Sequence, residues 1–289
     1  MENEGSKPFH WRLRKILHRT RIYSLMCFVL AVLLVLSACD AEEPREEGEP
    51  PVEEPVEIPE RPADGSNAVW EVEPYDEPVP PLPVLAETLR EDESGRPIVT
   101  NPGDILVLVN KNRNLPPDYV PEDLTQPDIP FPFEGAMPRK LMRAPAAEAL
   151  EGLIAAARED GHVVYGSSGY RSYATQEAIF QGNVRRRGEE EANRFSARPG
   201  QSEHQTGLAM DVTSAAVGYA LVQRFGETPE GQWIAENAHR FGFIVRYPEG
   251  AEDITGYAYE PWHLRYVGTR HAERIYEAGI TFEEYMENR

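Results

Sequence analysis

Four side chains in two short stretches have the types and spacing to run metal-assisted hydrolysis. The first stretch, "SEHQTGLAMD", spans Ser202 to Asp211 and carries His204 and Asp211. The second, "YEPWHLRYVG", carries Glu260 and His263. A hydrolytic zinc commonly takes three N/O protein ligands and one water. His204, Asp211 and His263 would supply two imidazoles and a carboxylate. Glu260 would then remain as a non-ligand carboxylate placed to take a proton from the water. The H-x6-D spacing is too long for one helical face or a single strand contact. It fits a loop residue followed by a strand residue, with Gly207 permitting the turn between them. In E-x-x-H, Pro261 keeps the segment out of a helix interior. A turn there could aim Glu260 and His263 at one point from a strand edge. This differs from the helical H-E-x-x-H signature, which is absent. Spacing alone leaves a metal site and an ordinary loop-then-strand equally open.

A third stretch, "SSGYRSYATQ" (Ser167 to Gln176), places Arg171 at a strand-to-helix junction. Such an Arg can clamp a carboxylate or steady an oxyanion, or simply lie on the surface over aromatic neighbours. The other histidines of the folded part read as structural. His162 opens a strand, His239 lies near a helix end, and His271 has a solvated helix position beside Arg270 and Glu273.

Stepping outward from these residues, "DILVLVNKN" (Asp104 to Asn112) has the branched composition of a strand. "APAAEALEGLIAAARED" reads as a helix with Pro145 at its start and Gly161 closing it. "HVVYGSSGYR" reads as a strand and "SYATQEAIFQGNVRRRG" as a helix. "GLAMDVTS" is a short strand, "PEGQWIAENAHRFG" a helix and "FIVRY" a strand. "WHLRYVG", "TRHAERIYEAG" and "TFEEYMEN" then read as strand, helix and short helix. Short strands among helices predict one α+β domain.

The chain has 289 residues and a formal net charge of -20. Its start is basic, with Lys7, Arg12, Arg14, Lys15, Arg19 and Arg21 before the apolar run "IYSLMCFVLAVLLVLSAC". That is the layout of a secretory signal. "LSAC", ending at Cys39, resembles the lipobox of bacterial lipoproteins, whose Cys is lipidated after cleavage. The alternative is an uncleaved membrane anchor, since the run approaches the roughly 20 residues that span a bilayer. Either way the remainder is expected outside the cytoplasm, attached to the bacterial membrane and facing the wall. Removing residues 1–38 leaves 23 Lys/Arg against 47 Asp/Glu, a net of -24, which excludes nucleic-acid binding through the overall field. Cys27 and Cys39 are the two cysteines, both in the signal region. The exported part therefore has no disulfide and no thiolate ligand, so a metal site must use His and carboxylates, as catalytic zinc does. Residues 39–66 are Glu/Pro-rich and cannot bury enough surface to fold. As an extended tether they reach about 80 Å. Residues 67–103 read as a Pro-rich arm, and 104–289 as the catalytic domain.

In order, "SGYRSYATQ", "RPGQSEHQTGLAMDV" and "EPWHLRYVG" closely resemble the VanY-type D-alanyl-D-alanine carboxypeptidases of the LAS group of zinc peptidases. "VLVNKNRNLPPDYVPEDL" is also similar to that family's entry into its domain. The resemblance implies a small central antiparallel sheet flanked by helices, and one zinc at His204, Asp211 and His263. It implies Glu260 as the catalytic acid/base and Arg171 as the catalytic group that stabilises substrate or oxyanion. It places Ser202, Gln176 and Tyr170 in the substrate pocket. The implied reaction removes the terminal D-Ala of a peptidoglycan stem peptide with a water activated at the metal, in a monomeric enzyme. An L,D-carboxypeptidase or an endopeptidase would share this core. A non-catalytic wall-binding lipoprotein is the reading from another class, but it has no use for Glu260.

Overall fold

The computed structural model describes residues 81–287. The expected signal (1–38) with its neighbour Cys39, the acidic tether and the arm residues 67–80 lie outside the described residues. Among the described residues, no helix is long and apolar enough to cross a membrane.

The described chain opens with a hairpin of β1 (Leu89–Glu91) and β2 (Pro97–Val99). A two-residue pair follows, β3 (Leu124–Thr125) against β4 (Met142–Arg143). Helix α1 (Ala144–Glu159) forms as its sequence predicts. Pro145 sits in its first turn, where no N–H partner is lost, and Gly161 follows its end at φ +87°. Ala146, Ala147, Leu150, Leu153, Ile154 and Ala157 make its buried stripe at helical spacing.

Next come β5 (Tyr165–Ser168), α2 (Tyr173–Arg187), α3 (Glu189–Phe195), β6 (Ala209–Thr213), α4 (Pro229–Asn237) and β7 (Phe243–Tyr247). The short helix α5 (Glu252–Thr255) precedes β8 (Glu260–Tyr266), α6 (Thr269–Ala278) and α7 (Phe282–Glu287). Strands β5, β6, β8 and β7 pair antiparallel in that spatial order. The expected α+β class, with a small antiparallel sheet and flanking helices, is what the chain adopts.

The two faces of this sheet divide the labour, because successive side chains point to opposite sides. Met210, Val212, Leu264 and Phe243 join Leu150 and Leu153 of α1 in the main core. The alternate positions carry Asp211 in β6, His263 and Arg265 in β8, and Arg246 in β7. These polar side chains are buried too, so the second face is closed over by other parts of the chain.

Four local readings differ from the sequence. Leu106, Leu108 and Val109 in "DILVLVNKN" are buried but form no strand. Side chains take the acceptors that a neighbouring strand would have used. Arg265 donates to the Ile105 and Val107 carbonyls at 2.8 Å each, and Arg113 to Leu108 at 3.0 Å. The "HVVY" segment becomes a strand only at Tyr165. The helix of "PEGQWIAENAHRFG" ends at Asn237, and a tighter 3-10 turn carries Ala238–Phe241. His271 is buried, not solvated, with Nδ1 2.8 Å from the Tyr285 hydroxyl across α6 and α7. Its neighbours Arg270 and Glu273 suggested a solvated side, yet His271 lies on the buried stripe with Ala272 and Ile275.

Gly207 is where backbone conformation is most constrained near the sheet. It sits at φ +67° between the turn Glu203–Thr206 and β6, in the left-handed region. A Cβ there would lie 2.9 Å from both Arg143 Cγ and Leu124 Cδ2. Gly207→Ala is therefore expected to lower the unfolding free energy by about 1–2 kcal/mol, the usual cost of a left-handed non-glycine residue. A urea titration with an unchanged midpoint would contradict this.

Candidate active site

Register places the first two functional groups. In the β6–β8 pairing, Asp211 stands directly opposite His263, and their nearest atoms, Oδ1 and Nδ1, are 2.9 Å apart. The turn ending at Gly207 delivers the third, His204, with Nε2 3.4 Å from Asp211 Oδ2. One donor atom from each of the three residues lies within 4.8 Å of the others, and all three residues are buried.

The rings are held so that the right nitrogens face inward. His204 Nδ1 lies 2.8 Å from the Gly169 carbonyl, which can only accept. That nitrogen carries the proton, and Nε2 presents a lone pair toward Asp211. Gly169 is suited to this job because a side chain would strike the Leu141 carbonyl and Met210. Its own N–H donates to Arg139, and that of Tyr170 to Leu141. His263 is held from the other side: Nε2 faces Glu203 Oε2 at 3.4 Å, which leaves Nδ1 toward Asp211. Two inward imidazole nitrogens and a carboxylate are a donor set that fits a catalytic zinc ion. An orienting partner on the far nitrogen of each ring is the usual arrangement around such an ion.

The electrostatics agree with that fit. Burial works against the Asp211 carboxylate, yet His204 and His263 hold its pKa well below the ordinary range. Burial lowers the pKa of His204. For His263 burial again opposes charge, but Asp211 and Glu203 raise the ring to about 9. Without a metal, then, the Nδ1 facing Asp211 keeps a proton, and a bound cation would take that proton's place.

Arg171 and Glu260 line the same cleft of about 450 Å³ as the three candidate ligands. Arg171 precedes α2, whose first turn is capped by Ser172 Oγ accepting from the Thr175 N–H. Its guanidinium donates to Gln176 Oε1 at 2.8 Å and to Ser168 Oγ at 3.0 Å. Gln176 Nε2 in turn donates to the Ala197 carbonyl at 2.6 Å. Both ends of that amide are engaged, so Gln176 braces Arg171 in addition to lining the cleft. Glu260 begins β8 opposite Tyr247. Burial raises its carboxyl to about 7, with His263 and Arg171 opposing and Asp211 adding to the rise.

Ser202 is buried and lines the cleft as expected. Tyr170 is buried but is not among the lining residues. Sequence reasoning missed Glu203, although it is the residue between Ser202 and His204. Its Oε1 accepts from Arg246 at 2.8 Å and Arg265 at 2.7 Å, both beneath the site. The cleft is also walled by Tyr247, Tyr257 and Trp262. An aromatic just before the candidate ligand His263 was the available signal for Trp262. Nothing local marked the two tyrosines.

Comparison with known proteins gives consistent matches. Residues 139–269 match the family VanY: D-alanyl-D-alanine carboxypeptidase. YodJ of Bacillus subtilis (strain 168), a protein named by inference as a carboxypeptidase, is 48% identical over 193 residues, covering 67% of this chain and 71% of YodJ. The structure of the LdcB LD-carboxypeptidase is 46% identical with a TM-score of 0.67, covering 69% of this chain and 92% of LdcB. A VanY D,D-pentapeptidase solved in complex with Zn(II) is 34% identical with a TM-score of 0.52, covering 63% of this chain and 98% of that one.

If His204, Asp211 and His263 hold the metal, replacing any one by Ala should drop bound zinc well below one per chain while far-UV circular dichroism stays unchanged. Metal analysis of the purified variants reads this directly. Unaltered one-to-one zinc in a variant would remove that residue from the ligand set.

Proposed function

Because the chain belongs to the VanY-type family of D-alanyl-D-alanine carboxypeptidases and is a zinc peptidoglycan carboxypeptidase, we propose that it removes the terminal D-Ala from stem peptides. In this reading His204, Asp211 and His263 are the zinc ligands, Glu260 is the acid/base, and Arg171 stabilises charge on the substrate. The observation that carries the reading is the meeting of a two-His-one-Asp set with a raised, non-ligand carboxyl and a half-buried, braced guanidinium in one cleft.

Bound zinc would supply Lewis-acid polarisation of the scissile carbonyl and a water of lowered pKa. The chain's own groups do the rest. Glu260 removes a proton from the attacking water, and the same carboxyl returns it to the departing amine of D-Ala. Arg171 faces negative charge as it grows on the carbonyl oxygen, or holds the terminal carboxylate. Its bracing by Gln176 and Ser168 fixes the guanidinium before substrate arrives, so little reorganisation is needed at the reacting moment. Ser202 stands within the same cleft to meet the peptide.

A second reading concerns which bond is cut. Likeness to the LdcB LD-carboxypeptidase exceeds that to the VanY D,D-pentapeptidase in both identity and TM-score. That favours removal of D-Ala from a tetrapeptide, where the bond follows an L-centre, over removal from a pentapeptide. The proposal extends to location: the basic start, apolar run and "LSAC" support an enzyme lipid-anchored through Cys39 and held near the wall by its acidic tether.

Two experiments test the function. Glu260→Gln should keep one zinc per chain and the fold, yet lower kcat by about 10²–10⁴, the ordinary worth of a positioned acid/base. Full turnover in that variant would sink the assignment. In the metal-free protein the Glu260 carboxylate is lost as pH falls through about 7. A bound dication favours the carboxylate, so the acid limb of kcat/KM should have its midpoint below 7. A basic rather than acidic limb from this group would contradict the role. Mass spectrometry of defined tripeptide, tetrapeptide and pentapeptide stems separates the two bond choices. Loss of D-Ala from the pentapeptide alone supports D,D-cleavage, and loss from the tetrapeptide supports L,D-cleavage. Bound zinc without hydrolysis of any muropeptide, cross-linked ones included, would return the chain to wall binding without catalysis.

A further inference from the structure

We propose that Glu283, on α7 and outside the cleft, is a positioning residue for the metal centre, acting through Arg246 and Glu203 on the ring of His263. The inference rests on the reading of His263 as a zinc ligand.

The contacts form an unbroken buried chain. Glu283 holds Arg246 by a two-pronged pair, with Nη1 donating to Oε2 at 2.8 Å and Nη2 to Oε1 at 2.6 Å. The remaining donor direction of Arg246, Nε, reaches Glu203 Oε1 at 2.8 Å. That same oxygen also accepts from Arg265 Nη1 at 2.7 Å. With Oε1 saturated by two guanidinium groups, Glu203 has Oε2 left to face His263 Nε2 at 3.4 Å. Arg246 and Arg265 are 0% exposed, Glu203 1% and Glu283 6%, so water does not screen any of these groups.

Charge balance explains why the remote member matters. Two arginines and two glutamates cancel within this buried set. Removal of the Glu283 charge leaves two guanidinium groups with Glu203 as their one buried carboxylate. Glu203 is then drawn to offer both oxygens to the arginines, and Oε2 leaves His263. The far nitrogen of His263 loses the acceptor that keeps Nδ1 turned toward Asp211. Outer partners of metal-bound imidazoles act in this way, and their loss commonly weakens metal affinity 10–100-fold. Other anchors hold the rest in place. Arg265 is tied to the Ile105 and Val107 carbonyls, and Phe282 of α7 lies against Arg246 and Arg265 at 5.4 and 5.1 Å. Asn110 Nδ2 also reaches Glu283 Oε1 at 3.2 Å. Coupling is reciprocal, so zinc bound at His263 should in turn hold α7 down.

The experiment uses the full chain carrying Glu283→Gln, Glu203→Gln and both together. Zinc Kd is measured by competition with a chromophoric chelator, and the cobalt(II)-substituted visible spectrum reports ligand geometry. Glu283→Gln is expected to raise the zinc Kd about tenfold and to shift the cobalt bands. The double variant should be no weaker than Glu203→Gln alone, because the two act in series. Hydrogen exchange of the wild-type protein, with and without zinc, should show slower exchange at Tyr285 and Met286 when zinc is bound. Wild-type zinc Kd and cobalt spectrum in Glu283→Gln, with only a lowered Tm, would overturn the proposal and leave Glu283 a purely structural ion-pair partner. If Glu203→Gln fails to fold, Glu283→Gln and the exchange measurement decide between the same outcomes. His263→Ala with undiminished zinc would instead overturn the ligand reading, so the two failures are told apart.

Discussion

A carboxylate buried between two imidazoles is the interaction on which the rest of this structure depends. Asp211 is 4% exposed, and a lone ion in such a place would cost several kcal/mol. The protein keeps it charged by surrounding it with His204 and His263, whose nitrogens lie 3.4 and 2.9 Å from its oxygens. Each neighbour then needs its own support, because an imidazole aimed at a carboxylate must be held on its far nitrogen. For His204 the support is a backbone carbonyl at Gly169, reachable because that position has no side chain. For His263 it is a second buried carboxylate, Glu203, which itself is tolerable only beside Arg246 and Arg265. Electrostatic need thus spreads outward from Asp211 until it reaches neutral backbone or balanced ion pairs.

That spread also accounts for the odd behaviour of "DILVLVNKN". Its branched residues are buried, yet its carbonyls turn to guanidinium groups instead of a neighbouring strand. Arg265 is therefore shared between the fold and the site: one part of its fork closes loop backbone, another neutralises Glu203. Glu260 contrasts with this tightly compensated interior. Among the described residues it has no ion-pair partner, and burial lifts its carboxyl to about 7. Two carboxyl groups in one cleft consequently differ in proton affinity in the direction that separates a metal ligand from an acid/base.

Much of this was legible in the sequence, for identifiable reasons. Strand and helix periods exposed α1, β6, β7 and β8, since each has an apolar pattern bounded by Gly or Pro, whereas α2, with Phe180 as its one buried apolar side chain, was marked by its end at Gly188. His204, Asp211, Glu260 and His263 stood out because imidazoles and carboxylates beside Gly and Pro turns are chemically conspicuous. What stayed hidden involves partners far apart in the chain. Glu203 looked like one more acid in an acidic protein until folding brought in Arg246 and Arg265, both of which sit in stretches that read as plain strands. His271 was misjudged because charged neighbours in sequence are not neighbours in space on a helix. The bracing of Arg171 by Gln176 joins residues five apart in the sequence, yet its anchoring at the Ala197 carbonyl required the tertiary fold.

The direct opposition of Asp211 and His263 across β6 and β8 also sets which changes in chain length this protein can survive. Side chains alternate sides along a strand, so a single residue inserted or deleted within β6 would turn Asp211 into the apolar layer of Leu150 and Leu153 and bring Met210 or Val212 to the donors. The same holds for β8 between His263 and Tyr266. Residues 218–220 of the connection from β6 to α4 and 188–190 at the start of α3 are exposed and lie outside that pairing, so changes in length are better tolerated there. Relatives of this enzyme should therefore differ in length in those connections while keeping the two paired strands residue for residue.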